Sequence, residues 1–291
     1  MNLLENKLYQ WLTLCLLALT WGSSFILMKR GMVSFTDTQV ASMRLMFACA
    51  VLMPFGIRAI RKVPPKSLLP IALVGLFGNG IPAFLFTKAQ THIDSSMAGI
   101  INALSPLFTL IIGILFFGLK GKINHWIGII IGLAGAILLV YQGGEVGGQA
   151  MYAALAILAT VFYGFTINLI KSRLHEVPSL SITSIAFLFV GPPATIYLFT
   201  TDFTTRLATD PHAMTSMGFV MILGMVGTAF AVVLFNMLIK VTSHLFAASV
   251  TYLIPVVAVL WGVLDKEVMS LVKVAAIATI LAGIYLVNQK R

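Results

Sequence analysis

One charge stands inside an otherwise apolar run. Arg44 lies about six residues into the stretch 38–57, roughly 9 Å along a helix at 1.5 Å per residue. Centring such a charge in hydrocarbon costs about 2.5–3.5 kcal/mol. Arg44 therefore either anchors an anionic group, snorkels to the interface, or pairs with Asp37 at the helix start. The nine carboxylates behave differently. Glu5, Asp37, Asp94, Glu145, Glu176, Asp202, Asp210, Asp265 and Glu267 all fall in loops or at the ends of apolar runs. Intramembrane carboxylates are the usual proton-relay and cation sites. Their placement argues against a carboxylate-driven proton antiporter and against a multidrug cation exporter.

The other polar residues inside apolar runs are neutral: Thr20, Ser23, Ser24, Asn79, Asn102, Thr166, Asn168, Asn236, Thr251 and Tyr252. A buried amide facing lipid forfeits hydrogen bonds at a cost of several kcal/mol, so these side chains face a bundle interior. There they meet either a polar solute or each other. Trp21, Phe25, Phe84, Tyr163 and Trp261 supply aromatic surface at similar depth, for stacking on a solute or for packing. The candidate substrate-binding set is Trp21, Ser24, Asn79, Asn102, Tyr163, Asn168, Asn236 and Tyr252, with Arg44 as the intramembrane charge. Pro82, Pro106 and Pro255 are candidate hinges; Pro106 and Pro255 each remove an i to i−4 bond. The run Gly75–Pro82 reads as an interrupted helix. No H-E-x-x-H, paired carboxylates, nucleophile elbow or phosphate loop occurs. Cys15 and Cys49 both lie in apolar runs and have no metal-ligand spacing. The expectation is a non-enzyme without metal or cofactor.

These residues need elements to hold them. Of 291 residues, 59% are apolar and 10% charged, with a mean hydropathy of +1.00. A soluble domain carries about 25% charged residues, so a water-soluble fold is excluded, and disorder with it. Ten apolar runs span about 9–28, 38–57, 68–87, 95–118, 123–141, 150–170, 179–199, 216–239, 244–264 and 271–288. Each suits about 30 Å of hydrocarbon as a helix. Helices are required because lipid leaves backbone polar groups to be satisfied within the segment. The runs lack the period-two alternation of a barrel. The expected class is an all-α integral membrane protein with ten transmembrane helices. The first run ends in Lys29–Arg30 without a small-residue cleavage site and reads as a retained span.

The formal net charge of +10 sits in short turns and reads as a topological signal, not as a nucleic-acid surface. With the N-terminus on side one, that side collects twelve of the 19 Lys and Arg residues and side two collects six, Arg44 being within a span. The bias places side one, and both termini, in the cytoplasm of a cell (inner) membrane. Lys29 and Arg30 on side two oppose it.

The polar stretch 142–149 divides the chain. Gly75, Gly78, Ala98, Pro106 and Gly113 recur 149 residues later as Gly224, Gly227, Ala247, Pro255 and Gly262. Gly135 recurs as Gly283 after 148 residues, and Gly22 and Lys29 recur as Gly164 and Lys171 after 142. Two five-helix repeats follow, residues 1–141 and 150–291, joined by the linker 142–149. An odd number of spans per repeat makes the second inverted, a hallmark of transporters with a midplane site between halves.

Thr20–Gly31 (TWGSSFILMKRG), Ala41–Pro54, Ser105–Pro106, Ile254–Pro255 and the closing Leu281–Val287 (LAGIYLV) resemble EamA-type members of the drug/metabolite transporter superfamily over essentially the whole chain. The resemblance implies two inverted five-helix repeats that move small metabolites or amino acids, often outward. It also implies a Glu after the fourth and ninth runs. Glu267 supplies the second, whereas Leu119 holds the first position. The expected function is an alternating-access carrier for a small organic solute. A channel, a non-transporting scaffold and an intramembrane enzyme are the alternatives. Its partners are the solute and the lipid bilayer.

Overall fold

A computed structural model describes residues 6–140, 149–241 and 250–288. Most of the linker 142–149, together with His244 and Ala247, lies outside the described residues. The helices in chain order are α1 Lys7–Gly31, α2 Asp37–Ile60, α3 Leu68–Gly75, α4 Ile81–Ala89, α5 Ser95–Asn102, α6 Ser105–Phe116 and α7 Ile123–Val140. They continue with α8 Gln149–Arg173, α9 Ser179–Thr200, α10 Phe203–Thr209, α11 Ala213–Gly224, α12 Ala231–Val241, α13 Val250–Leu264 and α14 Leu271–Asn288. Among the described residues, seven helical segments have the length and apolarity to cross a membrane, and three further apolar helices are shorter. The chain is a multi-pass, all-helical membrane protein.

Local chemistry sets the ends. Asn6 caps α1, its side chain accepting from Leu8 N at 2.8 Å. Thr36 and Gln39 form a reciprocal capping box at α2, satisfying two otherwise orphaned N–H groups. Leu8, Leu12, Leu16 and Leu19 of α1 are exposed, as suits a lipid-facing stripe, while Leu14, Leu17 and Met28 are fully buried. A helix apolar all round belongs in a bilayer.

Three of the sequence runs are broken. Between α3 and α4 the chain makes a π-turn, Leu76–Gly80, and between α11 and α12 a second, Met225–Phe230. Glycines permit both through close approach. A Cβ on Gly75 would sit 2.6 Å from the Ala186 carbonyl oxygen, and one on Gly224 would sit 2.8 Å from the Arg44 carbonyl oxygen. The third break separates α5 from α6. The expectation that Pro106 bends a continuous helix is corrected here. Pro106 stands in the first turn of α6, just after the α5–α6 break, and Pro82 stands in the first turn of α4, directly after the π-turn. Only Pro255 of the three lies inside a helix, α13.

α7 and α14 pack against each other at the edge of the bundle. A Cβ on Gly283 would lie 2.5 Å from Gly132 N, and one on Gly128 would lie 2.6 Å from the Gly283 carbonyl oxygen. The glycines of α7 are thus a helix-packing surface. The short helix α10 has no counterpart in the sequence reading. Its Arg206 bonds Asp202 at 2.7 Å.

Candidate functional site: a central cavity with a charged cap

A cavity of about 300 Å³ runs through the bundle, within the size range of small-molecule sites. Its wall draws on α1, α2, the α3–α4 and α11–α12 breaks, the α5–α6 break, α8, α9, α12 and α13. Neither α7 nor α14 contributes. Helix breaks are where backbone and small polar side chains reach an interior space.

Arg44 projects from α2 into this cavity. Its Nε donates to Thr228 Oγ1 at 2.9 Å. Thr228, on the second π-turn, donates in turn to the Leu223 carbonyl at 3.0 Å. Asp37 does not pair with Arg44 but lies 3.6 Å from Lys88. Trp21 Nε1 donates to the Gly227 carbonyl at 3.1 Å, and its ring meets Phe235 edge-on at 5.0 Å. Ser24 donates to the Thr20 carbonyl at 3.0 Å. Asn79 occupies the first π-turn and Asn102 ends α5. Both line the cavity, with Tyr163 from α8.

Two candidates stand elsewhere. Asn168 is buried and donates to the Thr109 and Gly164 carbonyls at 2.7 and 2.9 Å. Tyr252 donates to the Ile284 carbonyl at 3.1 Å. Both bind helices together and neither lines this cavity. The side chain of Asn236 lies outside the described residues. Trp261 is 39% exposed and donates to Ser23 Oγ at 2.7 Å, away from the cavity wall. Phe84 packs with Tyr197 instead. The sequence reading missed Ser105, Ser179, Thr183 and Thr228 as lining residues.

The lining starts at Met28 and Phe86, near the C-terminal ends of α1 and α4. It extends to Ser179 and Thr183, in the first turns of α9. Charges cap the Met28 end. Lys29 Nζ lies 2.6 Å from Asp265 and 3.0 Å from Glu267, and Arg30 also pairs with Asp265. Glu267 accepts from Ser95 N at 3.0 Å, Ser95 Oγ at 2.6 Å and Ser96 N at 3.1 Å. It therefore caps α5, whose own N-cap residue, Asp94, makes no capping bond. Asp94 instead receives Lys273 Nζ at 2.7 Å. Burial pushes the Glu267 carboxyl upward, but the Ser95 and Ser96 donors and the Lys29 ammonium outweigh it. The result is a pKa lowered from 4.5 to about 2.

Leu119 occupies the matching place at the opposite end. Its Cδ1 is 2.4 Å from where a Gly113 Cβ would stand, as Glu267 Oε2 is 2.6 Å from that of Gly262. Each follows a residue of positive φ, Gly118 at 69° and Lys266 at 60°.

A multi-pass helical bundle around a polar and aromatic cavity fits a membrane transporter. The family model for the EamA-like transporter family matches residues 9–141 and again 150–289. The chain belongs to that family. It is 29% identical over 275 residues to the "Uncharacterized inner membrane transporter YedA" of Escherichia coli, covering 94% of this chain and 88% of that protein. An "Uncharacterized transporter" of Archaeoglobus fulgidus is 26% identical over 97% of this chain and 99% of its own length. A "Probable terminal-alkyne amino-acid exporter" of Streptantibioticus cattleyicolor is 25% identical over 95% and 92% respectively. A solved crystal structure aligns with a TM-score of 0.63 at 17% identity, covering 97% of this chain and 96% of that one. It speaks to the fold alone. The family and these names point to transport rather than catalysis.

Proposed function

We propose that the protein is an alternating-access carrier for a small organic metabolite, built from inverted repeats 1–141 and 150–291 with both termini in the cytoplasm. The observation that carries the reading is a central cavity walled by helices from both halves, with ion pairs beyond one end and the start of α9 at the other. On this topology the capped end faces away from the cytoplasm. Paired contacts support the duplication. Gly22 packs on Val257 as Gly164 packs on Phe108, and Gly78 meets Thr166 as Gly227 meets Ser24. Each pair maps onto the other through the 142- and 149-residue offsets. The relative named as an amino-acid exporter makes outward movement of an amino acid or related solute the first case to test.

Purified protein in liposomes should show saturable flux that is accelerated by solute on the far side. Non-saturable flux would indicate a channel. Absence of flux across a broad metabolite panel would refute the carrier. Impermeant labels should reach both termini from the cytoplasmic face only.

A further inference from the structure

We infer that Arg44 is the specificity-determining group of the cavity and takes the carboxylate of an organic solute. The inference deepens the carrier reading and rests on it. The guanidinium is held by one edge: Thr228 occupies Nε, and among the described residues no acceptor meets its two terminal nitrogens. Among the described residues no carboxylate lines the cavity. The acids that might have served are engaged elsewhere, Asp37 with Lys88, Asp94 with Lys273, and Asp265 and Glu267 with Lys29. A guanidinium taken out of bulk water and left without a counter-charge is costly. A planar carboxylate meets its two free nitrogens bidentately, in the geometry a guanidinium favours.

Three more polar groups facing the cavity are uncommitted. The side chains of Asn79 and Asn102 and the Tyr163 hydroxyl line the wall, and among the described residues none makes a hydrogen bond. Asn79 is the 149-residue counterpart of Thr228, and Ala186 is the 142-residue counterpart of Arg44. The second half thus has the turn without the cation, which leaves the Asn79 amide free and the cavity with one positive charge. One carboxylate neutralises it. An isolated ammonium ion would meet no acid among the described wall residues and would be repelled by Arg44, so the amino group of an amino acid could be met only by neutral acceptors such as the Asn79 and Asn102 amide oxygens. Trp21, Phe25 and Phe86 form the apolar flank, which suits a hydrocarbon or aromatic body beside the carboxylate.

The test is equilibrium binding by thermal shift of the full chain in detergent, using phenylacetate, phenylacetamide and phenethylamine as probes of matched shape. Phenylacetate should raise the melting midpoint with an affinity at least about tenfold above the amide, the scale of one charge-assisted contact. Phenethylamine should give no shift. Arg44→Gln should abolish the preference, and Arg44→Lys should keep part of it. An equal or larger shift with the amide or the amine overturns the inference. So does the absence of a shift with phenylacetate, or a preference that survives in Arg44→Gln. The wild-type comparison decides even if a variant does not fold. Carboxylate binding without flux of any solute would sink the carrier reading instead.

Discussion

Replacing Glu267 by Leu would copy onto the capped end the residue that already stands at the other. The change removes the acceptor for Ser95 N, Ser95 Oγ and Ser96 N and one of the two acids on Lys29. Losing a helix cap costs about 1 kcal/mol. Lys29 is 39% exposed and keeps Asp265, so the lost ion pair adds only about 0.5 kcal/mol. The total, about 1.5 kcal/mol, corresponds to roughly a tenfold increase in opening of the α5 start. Hydrogen exchange read by mass spectrometry on the segment around Ser95 and Ser96 measures that opening directly. Glu267→Gln, which keeps an acceptor but no charge, should fall between. Exchange unchanged in Glu267→Leu would show that Glu267 does not hold this end closed.

With a pKa lowered from 4.5 to about 2, the Glu267 contribution is complete above about pH 4.5 and fades as pH falls through about 2. Flux profiles of wild type and Glu267→Gln should therefore have the same shape between pH 5 and 8; a titration in that window lost in the variant would contradict this. Trp21→Ala and Asn102→Ala should cut transport while leaving expression intact, and normal uptake in both would remove them from the pathway. Asn168→Ala should lower the melting midpoint by the equivalent of about 1 kcal/mol without changing the half-saturating solute concentration. Gly283→Ala should force α7 from α14 and destabilise by about 1–3 kcal/mol, which a thermal melt of the purified protein would detect.

The apolar runs were legible because hydrocarbon thickness fixes helix length and apolarity together. Trp21, Ser24, Asn79, Asn102 and Tyr163 were legible as inward-facing residues because polar or amphipathic groups in such runs must turn inward, whereas for Arg44 the sequence left snorkelling or a pair with Asp37 open. Inward is not the same as lining. Asn168 and Tyr252 also turn inward but meet backbone carbonyls across helix contacts, and no spacing separates the two outcomes. Ser105 and Thr183 were missed because a hydroxyl can bond a carbonyl of its own preceding turn, as both do, and so leaves no mark of exposure. The breaks at Leu76–Gly80 and Met225–Phe230 follow glycines common to both halves, but only the first was read as an interruption. Lys29 and Arg30 ran against the charge bias. Their partners Asp265 and Glu267, more than two hundred residues away, neutralise them.

The pairing of Glu267 at one mouth with Leu119 at the other has a thermodynamic limit. In the proposed carrier, an unequal pair of ends would set where the empty protein waits, and hence how much solute half-saturates it from each face. Detailed balance forbids it from pumping: whatever it adds to uptake from one compartment at low occupancy it must return in the exit step. Asymmetric half-saturation with no net accumulation at zero membrane potential is the signature expected of such a carrier, and any gradient beyond the one the membrane potential sets for a charged solute must be driven by a second solute or by metabolism.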